Sequence, residues 1–78
     1  MTKIEQIVKA EYEQIIEIWR FEHKWLDKSP LKDEDWGKMV AEANEIAKKR
    51  KGKWQEILAK MLNAVMEEIE LINKEALK

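Results

Sequence analysis

With 78 residues the chain has room for one domain, residues 1–78, and buries only about 60–65% of its unfolded surface. It contains no Cys and a single His, which excludes disulfides and thiolate chemistry and speaks against a zinc site, since such sites draw on several His or Cys ligands. Fifteen basic and 16 acidic residues cancel to a net charge of −1, so the chain as a whole is no polyanion binder, although residues 48–60 gather six bases against one acid.

The N-terminal stretch carries Glu5, Glu11 and Glu13 among its apolar residues, which is not the pattern of a signal peptide. No run approaches the roughly 18 uncharged apolar residues of a membrane span, so no membrane contact and, by default, a cytoplasmic location are expected. Thr2 and Glu5 fit a capping box, and apolar periodicity begins at Ile4. With no Gly or Pro before Pro30, the first helix is expected over about 3–27. Spacing residues 100° apart places Ile4, Val8, Tyr12, Ile15, Trp19 and Leu26 on one stripe, with Ile7, Ile18, Phe21 and Trp25 on a second stripe beside it. Together they cover roughly 200°, more than one neighbour needs. Such a helix sits between two partner helices or adds to an oligomer interface, and self-association through the flanking stripe follows as an expectation. Glu11 and Glu22 interrupt this surface and are read as boundary residues reaching solvent or a Lys, rather than as a carboxylate pair for acid–base or metal chemistry.

Asp27-Lys28-Ser29-Pro30 breaks the helix. The second helix is expected over 33–51: Asp33, Glu34 and Asp35 sit where its dipole favours acids, and Trp36, Met39, Val40, Ala43, Ile46 and Ala47 form its stripe. Lys48 to Lys51 close it, and Gly52 supplies a left-handed stop. Gly37 either weakens the first turn or admits another backbone. The third helix is expected over 53–76, with Trp54, Ile57, Leu58, Met61, Val65, Ile69, Ile72 and Ala76 as its main stripe, Leu62 and Met66 widening one edge and Glu68 interrupting the other. Short connections favour neighbours in opposite directions, so the fold class is all-α, an antiparallel three-helix bundle.

Two sites stand out. Trp19, Trp36 and Trp54 lie on main stripes and read as core. Ile18, Phe21 and Trp25 lie on the flanking stripe and are candidate protein-binding anchors, competing with burial against the third helix. The basic patch Lys48, Lys49, Arg50, Lys51 and Lys53, followed by Trp54, could hold phosphates and stack a base. Accumulation of cations at a helix C-terminus explains it more simply, and Gln55, Glu56 and Lys60 make a thin set for reading base edges. His23 has no nucleophile motif to serve and reads as structural. Glu42-x-x-Glu45 and Glu67-Glu68-x-Glu70 are similar to the acidic clusters of all-helical nucleotide pyrophosphohydrolases, but they fall on polar faces. No phosphate loop, nucleophile elbow or metal-ligand spacing is present, and no catalytic residue, metal or cofactor is expected.

F-E-H-K-W at 21–25, D-E-D-W-x-x-M-V at 33–40, E-A-N-E-I-A-K-K at 42–49 and L-N-A-V-M-E-E-I-E at 62–70 resemble short helical proteins of phages and mobile elements of Gram-positive bacteria. That resemblance implies an accessory or inhibitory role and carries no catalytic residues. The expected function is a non-enzymatic protein–protein interaction module. A small nucleic-acid-binding domain using the basic turn is the alternative. A designed bundle without a ligand is a third reading, against which Glu11, Glu22 and Glu68 argue, since idealised cores exclude charge.

Overall fold

Thr2 opens the chain's first helix as expected: its Oγ1 accepts the Glu5 N–H at 3.1 Å. A computed structural model describes residues 2–76 and resolves three helices, α1 (Lys3–Asp27), α2 (Asp33–Ala47) and α3 (Lys53–Glu75), with no strand among the described residues. α1 stops where Ser29 Oγ donates to the Trp25 carbonyl at 3.0 Å, ahead of a cis Ser29–Pro30 bond. At the start of α2 the Asp35 carboxylate accepts the Lys32 N–H at 3.0 Å. This is half a capping box, because the Lys32 ammonium has no acceptor with which to reciprocate.

α2 ends at Ala47, four residues before the expected Lys51. The N–H groups of Lys49 and Arg50 bond the carbonyls three residues back, at Ile46 and Ala47, so the chain tightens out of the helix there. Gly52 has the expected positive φ of 64°, but with ψ at −137° it precedes α3 as its N-cap and does not terminate α2. Gly37 meets open space, so no backbone approaches it and its effect is the propensity cost alone.

α3 packs closely on both α1 and α2, whereas α1 and α2 are joined mainly by long side chains. Lys24 pairs with Glu42 of α2, while Glu17 and Glu11 pair with Lys49 and Arg50 of the turn that follows it, the order expected of antiparallel neighbours. The result is elongated, 48 × 20 × 15 Å. Its core combines Ile18, Phe21 and Trp25 of α1, Met39, Ala43, Ile46 and Ala47 of α2, and Leu58, Leu62 and Ile69 of α3. Leu26, Leu31, Trp36, Val65 and Met66 pack against its edges.

The two stripes of α1 therefore largely exchange roles, although Leu26 of the first packs against the core and Ile7 of the second is 40% exposed. Ile18, Phe21 and Trp25 are 8%, 3% and 2% exposed, so they form the core and are not available as docking anchors. Ile4, Val8, Tyr12, Ile15 and Trp19, the expected core stripe, face outward. Trp54, Ile57 and Met61 of α3 are exposed as well, because α3 turns its Leu62 edge inward. Of the three expected core tryptophans only Trp36 packs against the core. The reason is the width of apolar surface on α1: α2 and α3 approach it from one side and leave the other without a neighbour.

Candidate protein-docking face and the basic turn

On α1, Glu22 lies between the buried set and the outward stripe; on α3, Glu68 lies within the outward set. The Glu68 carboxyl lies near enough across the α1–α3 seam to raise the Glu22 pKa, so both outward stripes border the same seam. Trp54 and Ile7 line one groove at the lower end of this face, where Arg50 crosses the Trp54 ring at 5.7 Å. Trp19 at 59% exposure tilts against the His23 ring, 4.8 Å between centroids, and His23 Nδ1 lies 3.5 Å from Asp27 Oδ2. His23 thus lies between Trp19 and Asp27 on the surface of α1.

The Glu22 and Glu68 contact departs from the sequence reading, in which Glu22 reaches solvent or a Lys. Glu22 Oε2 is buried without a hydrogen-bond partner. Burial, and then the Glu68 carboxyl, raise the Glu22 pKa to about 7. An acid whose pKa is higher folded than unfolded binds its proton more tightly in the folded state. Its contribution to stability is greatest at low pH and declines between about 4.5 and about 7. Glu22→Gln is expected to flatten that decline and to raise stability at about pH 8 by on the order of 1 kcal/mol, the figure being reduced for solvent screening. Denaturant unfolding of both proteins at about pH 5 and about pH 8 checks this; a stability difference that does not grow with pH refutes it.

The basic turn is less free than its sequence suggests. Arg50 binds Glu11, Lys49 binds Glu17, Lys48 binds Glu45 at 3.2 Å and Lys53 lies 3.4 Å from Glu56. The Lys49 ammonium holds the Glu17 carboxyl below its usual range against the opposing effect of burial, and Gln14 donates a second bond to it at 3.0 Å. Four of the five cations therefore face acids, and two of them, Lys49 and Arg50, tie the turn after α2 to α1; Arg50, with its side chain only 18% exposed, is the central tie. Lys51 and the Trp54 ring remain turned to solvent.

Sequence reasoning missed one bracket entirely. Asn73 on α3 accepts the Leu31 N–H at 3.0 Å and donates to Ser29 Oγ at 3.1 Å and to the Ile69 carbonyl at 2.9 Å. It anchors the α1–α2 connection to α3. A single Asn on a helix carries no periodic signal; its only sequence hint is the Ser29–Pro30 break, whose freed N–H groups need an acceptor.

Among the described residues no group of three or more His, Cys, Asp or Glu is arranged to hold a metal ion, and no helix is long and apolar enough to cross a membrane. The chain is an all-α three-helix protein whose most distinctive feature is the open apolar face on α1 and α3. Comparison with protein-family models, with curated proteins and with solved structures finds no match.

Proposed function

We propose that this chain is a non-enzymatic protein–protein interaction module that docks a helical partner on the open face of α1 and α3. The observation that carries the reading is the size of that face. Ile4, Ile7, Val8, Tyr12, Ile15 and Trp19 of α1, with Trp54, Ile57 and Met61 of α3, are between 37% and 73% exposed. At about 150–250 Å² for a large side chain, they present on the order of 1,000 Å². The largest apolar patch of an ordinary monomer is about 300–600 Å², and a specific interface covers about 800 Å² per partner. Tyr12, Trp19 and Trp54 within it supply large contact area at low entropic cost. An accessory or inhibitory role in a phage or mobile element belongs to this proposal on the strength of the resemblance alone. The nucleic-acid reading gains no support from the basic turn, where four of five cations already face acids.

The test compares the wild type with Ile15→Glu/Trp19→Glu. Two observables are used: self-association, and binding of a synthetic amphipathic Leu/Lys helix as probe. The wild type is expected to show at least one of the two and the double variant neither, with far-ultraviolet helicity retained because both positions are exposed. A wild type inert in both assays ends the proposal.

A further inference from the structure

We infer that the partner on this face is a second copy of the same chain, running antiparallel, with the two-fold axis passing beside Ala64 on α3. The inference rests on the docking reading above and goes further by naming the occupant and its register.

The outward edge of α3 is the starting point. Lys53, Ile57, Lys60, Ala64, Glu68, Leu71 and Glu75 succeed one another at three- and four-residue steps, which places them on one helical stripe, and all are exposed. The stripe is symmetric about Ala64 in apolar character and antisymmetric in charge. Ile57 and Leu71 stand equally far from Ala64 on either side, as do Lys60 and Glu68, and likewise Lys53 and Glu75. An antiparallel copy turned about Ala64 therefore sets Ile57 against Leu71, Lys60 against Glu68 and Lys53 against Glu75, each contact occurring twice. A two-fold interface has this self-complementary form. A parallel copy would oppose Lys to Lys and Glu to Glu. Ala64 at the centre offers the small side chain that lets two helices approach closely. Leu71, 57% exposed, belongs neither to the core nor to the residues packed against it, and this arrangement would cover it.

Charge over the whole molecule points the same way. The end carrying the basic turn, residues 3–13 and 48–60, holds eight bases and four acids, while the opposite end, residues 20–35 and 61–75, holds five bases and nine acids. Copies lying head to tail bring opposite ends together, and with a chain net charge of −1 there is little overall repulsion to overcome. The Ile15 and Trp19 stripe of α1 flanks the α3 seam and extends the apolar area. Oligomerisation is also a common way for a chain of this size to supplement a small core.

The experiment measures solution mass by light scattering over a range of micromolar concentrations. Wild type is expected at twice 9.4 kDa. Ala64→Arg, at an exposed position, should weaken dimerisation at least about tenfold while helicity stays unchanged. Lys53→Glu/Lys60→Glu and Glu68→Lys/Glu75→Lys should each be monomeric at low salt, and an equimolar mixture should restore a dimer containing one of each. A monomeric wild type, a larger assembly, a dimer indifferent to Ala64→Arg, or swapped variants that do not prefer one another overturns the inference. A monomeric wild type that still binds the amphipathic probe overturns the second copy and leaves the docking face standing; failure of both removes both.

Discussion

Trp25→Ala is expected to cost about 3–5 kcal/mol, comparable to the whole stability that a core of this size supplies, and so to leave the chain largely unfolded at room temperature. Trp25 is 2% exposed, packs in the middle of the core, and is covered on its outer side by Lys28 at 4.6 Å and Lys24 at 5.3 Å from the ring centre. Truncation removes the largest core side chain of α1, and two flexible lysine stems cannot refill the space. Trp25→Phe is the informative companion. Trp25 Nε1 is buried without a hydrogen-bond partner, so Phe loses volume but also removes an unsatisfied donor, and its cost should be well below that of Ala. Trp19→Ala, by contrast, is expected to change monomer stability by less than about 0.5 kcal/mol and to act on association instead. Thermal unfolding followed by circular dichroism, on dilute protein, separates these residues. If Trp19→Ala proves the more damaging of the two to the monomer, the inward and outward stripes of α1 have been assigned the wrong way round.

Asn73→Ala is expected to destabilise by about 2–3 kcal/mol, far above the usual cost of an exposed helical substitution. The side chain makes three bonds, and its loss strands the partly buried Leu31 N–H, which no other acceptor reaches in this structure. Asn73→Asp keeps the acceptor for Leu31 but loses the donors to Ser29 and to the Ile69 carbonyl, and should fall between wild type and Ala. Urea unfolding at constant m-value gives the three midpoints. Equal midpoints for Asp and Ala would show that the Leu31 bond is not what holds the connection.

Helix α1 was legible almost to the residue, because Thr2 provides a cap and Ser29–Pro30 a break, and both act through local chemistry. The inward face of α1 was not. Periodicity identifies which residues share a stripe, but α1 carries two adjacent stripes, and the choice between them depends on where α2 and α3 lie. Gln14 made the choice harder: it lies on the inward side and is 9% exposed, so the stripe that is buried looks the less apolar of the two. The C-terminus of α2 was overestimated because Lys48 to Lys51 are good helix formers, whereas the salt bridges of Lys49 and Arg50 to α1 favour a tighter turn. The glutamates showed the same divide. Glu11 found a cation, as a charge in an apolar surface should, but Glu22 met Glu68, a pairing that no local rule anticipates.

The unequal lengths of the helices have a consequence for the timescale on which parts of the chain open. α2 is 15 residues long beside the 25 of α1, and residues 2–10 are all exposed. The first turns of α1 are held mainly by their own backbone bonds and the Thr2 cap, while Leu58, Leu62 and Ile69 sit at the centre of the core. Amide exchange should accordingly be graded, fast and locally gated near Val8 and limited by global unfolding near Leu62. Any partner that grips this end must first hold it helical, so part of its affinity goes into ordering the chain and its dissociation is coupled to fraying.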